Sequence, residues 1–599
     1  MYRQEYPRPQ LVRDNWMNLN GKWQFDFDDQ NIGLKEKWYQ EGKSFGLTIE
    51  VPFAYQTELS GIHDTGFHDW VWYKRWFEVP DHMRRKKIIL HFGAVDYRAM
   101  VFINGQLAGC HEGGHTSFSY DITNYLKGGQ EQLVVRVEDP SCDETIPRGK
   151  QFWRENSESI WYTRTTGIWQ TVWVEAVSET HFETVRFTPD IDSGDISVEF
   201  EVLGEYKEKT ILIEISFHGY VVAEEAITIE EHFTKRVFNI FNRKIFRTNF
   251  HDNGWTWTPE SPNLFDVKMK VCDGIKVLDE VDSYFGMRKI HTEDGMVFLN
   301  NKPYYQKLVL DQGYWQKGLL TAPTDHDLKR DIELAKEMGF NGCRKHQKVE
   351  DPRFLYWADR LGFLVWGECA SFASYSNEAA ARLTREWLEI IERDYNHPCI
   401  VAWVPLNESW GVPHIRKNKR QINHSLSMYH MIHSLDETRL VISNDGWELT
   451  KTDICAIHNY NHGQKDEPQK YEHFKESIST IKKLIESRPA GRKIYTKGFT
   501  YRGEPILLTE FGGIGLKSGS ENGWGYTSVT DQKAYLEEYR RIMEAVFSSR
   551  ALHGYCYTQL TDVEQEINGI LTYDRKPKCD LSEIRKLNQL WHVDVIASS

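Results

Sequence analysis

The pattern of apolar and polar residues changes once along the chain, at about residue 288. Before this point, short runs of alternating apolar and polar residues recur between turn residues, which is typical of the strands of a β-sandwich. Asn104-Gly105 separates two such runs and predicts a tight hairpin. We therefore predict a jelly-roll-like β-sandwich over residues 1–176. Its clearest runs are 22–27, 72–77, 88–92, 99–103, 132–137 and 171–175.

The next segment, residues 177–287, keeps the same alternating pattern. Runs at 196–202, 211–216 and 267–271 are the clearest strand candidates. A segment of about 100 residues built from such strands is typical of an immunoglobulin-like sandwich. We predict a second, separate β-sandwich here.

Residues 288–599 show a different pattern, in which helical spacing alternates with short apolar runs. Repeated strand–helix units predict a parallel sheet, and the length suits an eightfold (β/α)8 TIM barrel. Helices are predicted at 328–338, 352–361 and 378–394. Strands are predicted at 340–345, 363–366, 400–404, 440–443, 454–457, 506–508 and 554–557.

Two of the apolar runs in this segment lead directly into a glutamate. Glu408 follows the run 400–404, and Glu510 ends the run that begins at Pro505. In TIM barrels the active site lies at the carboxyl ends of the strands. Cleavage of a glycosidic bond needs one carboxyl group to protonate the leaving oxygen and a second to attack the sugar or activate water. The pair therefore predicts a hydrolase with two carboxylates.

Composition and charge narrow the class of protein. The 599 residues carry a net charge of −14, which disfavours nucleic acid or an anionic membrane as a partner. The nine cysteines show no CxxC spacing, and no apolar leader or 18-residue apolar run occurs. These features predict a cytoplasmic protein without a membrane anchor. We predict no metal and no cofactor.

Motifs spread over all three segments resemble those of glycoside hydrolase family 2, the family of β-galactosidases, β-glucuronidases and β-mannosidases. The N-terminal sandwich is similar to the family's sugar-binding domain. The motifs that carry the resemblance are Gly21-Lys-Trp-Gln-Phe25, Ile103-Asn-Gly105, Thr166-Gly-Ile-Trp-Gln170, Phe285-Gly-Met-Arg-Lys-Ile290, Asn396-His-Pro398 with Trp403 and Asn407-Glu408, and Leu508-Thr-Glu510-Phe-Gly512.

The resemblance implies an exo-acting, retaining mechanism with Glu408 as acid/base and Glu510 as nucleophile. Glu408 is then expected to be protonated, its pKa raised by the charge of Glu510, while a nearby cation keeps Glu510 ionised. Arg344, at the end of the second barrel strand, is the expected cation. Asn407 is expected to bond the hydroxyl group beside the anomeric carbon.

Further residues at the predicted barrel rim are expected to contact or organise the substrate. The resemblance implies that Tyr460 hydrogen-bonds the nucleophile. It also implies an acid at the end of the third strand, Glu368, which either organises Arg344 or contacts the sugar. The other candidates for substrate binding are Asp311, His346, Trp447, His458, Tyr557 and Glu566.

The residues after the last barrel strand bear on the substrate. Family glucuronidases carry an Asn-x-Lys pair there, and Glu566 and Asn568 occupy those places in this chain. A glutamate would repel an anionic sugar, so a neutral glycone and a β-galactosidase-like activity are predicted. A β-glucuronidase, another β-glycosidase of the family (arabinopyranosidase, galactofuranosidase or xylosidase) and a catalytically silent carbohydrate-binding homologue are the alternatives. Homo-oligomers are common in the family, and the number of subunits stays open.

Overall fold

The computed structural model describes residues 2–242, 254–517 and 523–589. It confirms the predicted fold class, with two β-sandwiches followed by a parallel barrel. The end of the predicted barrel segment, 590–599, lies outside the described residues. Within the described ranges, no helix is both long and apolar enough to cross a membrane.

The N-terminal sandwich packs two antiparallel sheets around one buried cluster that includes Trp23, Phe25, Tyr73 and Val174. Every predicted strand of this domain overlaps an observed one. The larger sheet contains, in spatial order, Leu47–Val51, Gly21–Phe27, Trp70–Glu78, Gln130–Glu138, Arg98–Ile103 and Gln106–Glu112. The smaller contains Trp16–Asn18, Val172–Val177, Lys87–Phe92 and Phe118–Asp121, and Val95–Asp96 pairs separately with Gly167–Ile168.

The predicted hairpin is present at Asn104-Gly105. Both residues have positive φ, 49° and 79°, as the twist-matched two-residue turn requires. They connect Arg98–Ile103 to Gln106–Glu112.

The second domain is the predicted immunoglobulin-like sandwich, with a three-stranded and a four-stranded antiparallel sheet. Alternate residues of its strands, such as Ile196, Val198 and Phe200, belong to a single buried cluster. The strands are His181–Asp190, Asp195–Leu203 and Phe233–Asn239 in one sheet and Tyr220–Thr228, Thr210–Phe217, Phe265–Asp273 and Lys276–Phe285 in the other.

The third domain is a parallel barrel of eight strands. We number them 1 to 8 in chain order: Gln306–Asp311, Gly342–Lys345, Leu364–Glu368, Ile400–Val404, Leu440–Val441, Cys455–His458, Ile506–Glu510 and Gly554–Tyr557. Strand 1 pairs with both 2 and 8, and the ladders run from there to strands 5 and 6. The amide of Asp453, before strand 6, donates to the carbonyl of Val441 in strand 5 at 3.0 Å. All side chains of strands 4 and 7 are buried.

A helix follows each of these strands except strand 5, and short elements complete the domain. The described α-helices are Asp325–Glu337, Pro352–Leu361, Asn377–Asp394, Lys419–Leu435, Pro468–Ser477, Ile481–Glu486, Gln532–Ser548 and Leu581–Gln589. The short strands are Ile290–Glu293, Met296–Leu299, Lys302–Pro303, Ile514–Leu516 and Thr527–Val529. The 3-10 helices of the chain are Glu58–Ser60, Thr123–Tyr125, Ile240–Asn242 and Pro489–Gly491.

Helix Pro352–Leu361 has the bounds that the sequence predicts, because both of its ends carry strong local signals. The side chain of Asp351 accepts a bond from the amide of Arg353, and proline occupies the first turn. Gly362 ends the helix at φ 70°, and a Cβ there would lie 2.5 Å from the carbonyl oxygen of Pro259. The local signals alone thus set both boundaries.

Candidate active site

The two predicted catalytic carboxylates lie at the carboxyl ends of strands 4 and 7. Glu510 is the last residue of strand 7, whereas Glu408 lies four residues beyond strand 4. Glu408 has a φ of 51°, in the left-handed region that non-glycine residues seldom adopt. Its amide donates to the carbonyl of Asp445 at 2.9 Å, which fixes the turn. Such backbone strain persists where surrounding contacts determine the conformation, here with the acid aimed at the barrel mouth.

Glu408 and Glu510 face each other across a short gap. One oxygen of each carboxylate and a ring nitrogen of His458 all lie within 4.8 Å of one another. Carboxyl groups of retaining glycosidases are about 5–5.5 Å apart, and those of inverting enzymes about 6.5–9.5 Å. The observed separation therefore suits direct attack by one carboxylate on a sugar that the other protonates.

Arg344 organises the acidic residues behind the pair. Its side chain is fully buried and donates to Glu510 Oε1 at 2.8 Å and to Asn407 Oδ1 at 2.6 Å. The guanidinium also pairs with Asp445 Oδ2 at 3.0 Å and with Glu368. Burial alone would lower the pKa of Arg344, but these carboxylates raise it well above its usual value. Arg344 is thus the cation predicted beside Glu510, and Glu368 contacts Arg344.

His458 lies between the two predicted catalytic carboxylates. Its Nδ1 is 2.8 Å from Glu408 Oε1 and 3.4 Å from Glu510 Oε2, while Nε2 is 3.2 Å from Asp445 Oδ1. Burial would lower the pKa of this imidazole, but Glu510, Asp445 and the bond to Glu408 raise it to about 10. His458 is therefore charged at neutral pH and is bonded to Glu408.

The predicted upward shift of the pKa of Glu408 is wrong for the free site. Burial does raise the pKa of this carboxyl, but the hydrogen bond and charge of His458, together with the charges of Lys150 and Arg344, outweigh burial and lower it. The sequence argument considered only the repulsion from Glu510 and missed a cation placed between the two acids. The proton that acid catalysis requires is consequently held by the Glu408–His458 pair and not by Glu408 alone.

We expect His458→Asn to move the alkaline limb of kcat/KM to lower pH. In the wild-type chain the pair keeps one proton up to the pKa of about 10 of His458. In the variant only Glu408 can hold that proton, so activity is lost as Glu408 itself titrates, at least about one pH unit earlier. A pH profile of kcat/KM measures the shift. An alkaline limb at the same pH in both proteins would contradict the shared proton.

Tyr460 makes the contact that the resemblance implies. Its hydroxyl donates to Glu510 Oε2 at 2.8 Å and lies 2.9 Å from Thr558 Oγ1. The ring stacks on Tyr526, with centroids 3.5 Å apart and planes 8° from parallel. Together with Arg344, Tyr460 gives each oxygen of Glu510 a hydrogen-bond donor.

Two other predicted residues lie beside this centre. His346 Nδ1 is 3.4 Å from Glu368 Oε2 and 4.0 Å from Glu510 Oε1. Burial and the neighbouring Arg344 lower the pKa of His346 well below its usual value, so the ring is neutral. Trp447 meets His458 edge to face, with centroids 5.7 Å apart, and is 9% exposed.

The contacts described for Asp311 and Tyr557 are with other protein groups and not with Glu408 or Glu510. The carboxylate of Asp311 is occupied by the Lys345 ammonium at 2.7 Å and the Gly313 amide at 2.8 Å. Tyr557 is fully buried and packs against Phe511 in the barrel core. A stacking wall needs an exposed ring, so the place of Tyr557 in the sequence motif did not reveal its surroundings.

Glu566 is buried beside the site and is held from two domains. Its carboxylate accepts the hydroxyl of Tyr162, from the N-terminal sandwich, at 2.6 Å and the amide of Asn568 at 3.0 Å. Burial raises the pKa of Glu566, while Lys150 and the two hydrogen bonds lower it. The sandwich thus contributes to the wall of the pocket.

Sequence reasoning missed Asp445, Lys150 and Tyr162. Asp445 follows strand 5 by four residues, as Glu408 follows strand 4, and that spacing was a usable signal. Lys150 and Tyr162 belong to the sandwich, and no spacing within the chain relates them to a barrel rim several hundred residues away.

The comparisons with known proteins agree with this geometry. Residues 290–593 match the TIM barrel domain of glycosyl hydrolases family 2, residues 16–161 match that family's sugar binding domain, and residues 180–288 match the segment described as glycosyl hydrolases family 2. The chain belongs to glycoside hydrolase family 2. This confirms the resemblance and gives the chain the family's three-domain architecture.

Family 2 relatives include both galactosidases and glucuronidases. A β-galactosidase of Thermoanaerobacter pseudethanolicus is 28% identical over 421 residues, covering 68% of this chain and 52% of the relative. A putative β-glucuronidase of Formosa agariphila is 27% identical over 446 residues, covering 70% and 50%. This family 2 chain therefore spans about half the length of these two curated relatives. Both relatives are named as β-glycosidases, but their names specify different sugars.

Among solved structures, the β-glucuronidase from Ruminococcus gnavus in complex with D-glucuronic acid superposes with a TM-score of 0.76 at 21% identity. The match covers 99% of this family 2 chain and all of the other. At this identity the likeness shows a shared fold and no more.

Proposed function

We propose that this chain is an exo-acting, retaining β-glycosidase that hydrolyses terminal non-reducing β-linked sugars. Glu510 is the proposed nucleophile and Glu408 the acid/base. The observation that carries the proposal is the separation of at most 4.8 Å between their nearest oxygens, with His458 between them. Arg344 and Tyr460 each donate to one oxygen of Glu510, which orients the carboxylate.

The arrangement supplies both steps of a double displacement. In the first, the proton of the Glu408–His458 pair passes through Glu408 to the leaving oxygen while Glu510 forms a bond to the anomeric carbon. In the second, Glu408 removes a proton from water, and the water oxygen displaces Glu510. Loss of the charge of Glu510 in the covalent intermediate removes the largest attraction that raises the pKa of His458. The proton balance of the pair therefore follows the covalent state of Glu510.

For the glycone, a neutral sugar and a β-galactosidase-like activity are proposed. Glu566 and Asn568 stand where family glucuronidases carry Asn and Lys, and the Glu566 carboxylate is buried beside the catalytic acids. A uronate would add another negative charge next to Glu408, Glu510 and Glu566. Such an approach is unfavourable in a site with little water.

A β-glucuronidase is the second candidate, and one observation favours it. The sandwich residue Lys150 is largely buried, and burial lowers the pKa of its ammonium although the charge of the neighbouring Glu566 acts to raise it. A uronate could pair with that ammonium. However, Lys150 and Glu566 carry opposite charges, so this part of the pocket as a whole offers no net attraction to an anion.

A panel of aryl β-glycosides tests the proposed function. It comprises the galactoside, glucoside, mannoside, xyloside, arabinopyranoside, galactofuranoside and glucuronide. We expect turnover of a neutral member, with the galactoside foremost, and little turnover of the glucuronide. Preferred turnover of the glucuronide would overturn the neutral glycone. An absence of turnover throughout the panel would instead favour a catalytically silent carbohydrate-binding chain.

A further inference from the structure

One segment of the N-terminal sandwich reaches into the mouth of the barrel. The amides of Arg148 and Gly149 both donate to the carbonyl of Ser371, beyond strand 3, at 3.1 and 2.9 Å. On the other side, the side chain of Gln565, beyond strand 8, donates to the carbonyls of Ser159 and Trp161 at 2.7 and 2.8 Å. The segment between these anchors, residues 148–161, is therefore fixed to both sides of the mouth.

Gly149 allows this close approach. It adopts a φ of 59°, and a Cβ there would lie 2.3 Å from the carbonyl oxygen of Gln347, beyond strand 2. A side chain at this position would push the segment away from the barrel. The conformation and close approach of Gly149 thus bring the next residue, Lys150, to the acidic site.

Among the described residues, the ammonium of Lys150 has no ion-pair or hydrogen-bond partner. The residue is 6% exposed, and its Nζ lies 5.4 Å from the ring centroid of Tyr162 and 5.8 Å from that of Trp161. Across residues 2–242, 254–517 and 523–589, no carboxylate oxygen is within 4.0 Å of it and no hydrogen bond leaves it. Burial lowers the pKa of Lys150, while the charges of Glu566, Glu510 and Glu408 act to raise it, so these three acids lie near the ammonium.

Glu566, the acid with the strongest effect on Lys150, is rigidly oriented. Tyr162 and Asn568 each donate to one of its oxygens. Asn568 in turn accepts from Gln559 at 2.6 Å, and Gln559 accepts from Gln312 at 2.9 Å. These linked side-chain amides fix the orientation of the Glu566 carboxylate. Both of its oxygens keep lone pairs that can accept further hydrogen bonds. Glu566 therefore faces the ammonium across a gap wider than an ion pair.

We propose that Lys150 and Glu566 jointly bind the glycone, with the ammonium donating to one sugar hydroxyl and the carboxylate accepting from the same or a neighbouring hydroxyl. This inference rests on the proposed function, since it needs a neutral sugar at the catalytic pair. A hydroxyl both donates and accepts, so a neutral sugar satisfies both charged groups at once. A uronate would satisfy Lys150 but bring its charge against Glu566. Lys150 is thus a specificity-determining residue that the sandwich supplies to the barrel.

The variant Lys150→Met tests this, because methionine keeps much of the length of the side chain and removes the charge. On an aryl β-galactoside, kcat/KM is expected to fall about 10- to 100-fold, as for loss of a hydrogen bond from a charged group. Four further substrates each lack one hydroxyl, at C-2, C-3, C-4 or C-6. For the analogue that lacks the bonded hydroxyl, the penalty of the mutation is expected to shrink to within about threefold, because no bond is left to lose.

Lys74→Met serves as the matched control. Lys74 is a buried lysine of the same sandwich, and its ammonium bonds to the carbonyl of Lys43. We expect this variant to hydrolyse all five substrates with the wild-type preference, and thermal unfolding of both variants separates loss of fold from loss of binding.

Three outcomes would overturn the inference while leaving a working glycosidase. They are an unchanged kcat/KM in Lys150→Met, an equal penalty on the parent and on all four deoxy substrates, and a loss confined to the glucuronide. A wild-type chain that hydrolyses none of the substrates would instead overturn the proposed function itself.

Discussion

Glu510→Ala is expected to lower kcat on every substrate of the chain by about 10⁴-fold or more, the scale seen when a nucleophile is removed. The carboxylate of Glu510 is the proposed nucleophile of the covalent step. Arg344 and Tyr460, which both donate to Glu510, would lose the anion that they orient. Steady-state kinetics on an aryl β-galactoside measures the loss.

Azide distinguishes a missing nucleophile from a damaged site in the Glu510→Ala variant. The vacated volume admits azide on the face that Glu510 attacks, so rescue is expected to give a glycosyl azide of inverted configuration. Glu504→Ala provides the control, since this glutamate lies two residues before strand 7 and bonds to the hydroxyl of Tyr495. Turnover of Glu510→Ala at the wild-type rate, or a rescued product of retained configuration, would remove Glu510 from the proposed role.

The loss of activity in Glu408→Ala is expected to depend on whether the leaving group of the substrate needs protonation. For a poor leaving group the loss in kcat/KM should be about 10²–10⁴-fold, the contribution of general acid catalysis. For a dinitrophenyl glycoside, which leaves without protonation, the first step should be nearly unaffected and the covalent intermediate should accumulate. Burst kinetics and mass spectrometry of the trapped chain measure these effects.

Azide again separates the two roles in Glu408→Ala. It replaces water in the second step and attacks opposite Glu510, so the expected product is a glycosyl azide of retained configuration. Glu448→Ala is the comparison, because Glu448 lies on a loop near strand 5 and accepts a bond from Ser409, next to Glu408. An equal loss on good and poor leaving groups in Glu408→Ala would contradict the assignment of the acid.

The strands that carry Glu408 and Glu510 could be predicted because their apolar runs are unbroken and end abruptly. Strand 4, Ile400–Val404, has the predicted bounds. Strand 1, Gln306–Asp311, was missed because only three consecutive apolar residues mark it. Its recognition depends on the two neighbouring strands that cover it, and that information is tertiary.

The candidate site could be predicted only as far as residue types at strand ends reveal it. The donors to Glu510, Arg344 and Tyr460, follow from motif positions. The lowered pKa of Glu408 does not, because it depends on where His458 points, and a strand end gives position without orientation. The ammonium of Lys150 could not be inferred either, since its place depends on how two domains dock.

The docking of the N-terminal domain against the barrel mouth has a consequence for how selectivity can change over time. The glutamates proposed to break the bond belong to the barrel, whereas Lys150 belongs to the N-terminal sandwich. Each of these domains has its own buried core. Recombination that exchanges the N-terminal sandwich between homologues would therefore change the sugar preference and leave the two glutamates of the barrel unchanged. Conversely, a barrel expressed alone would keep both glutamates. Its active site would be open and would lack the sugar selectivity that Lys150 supplies.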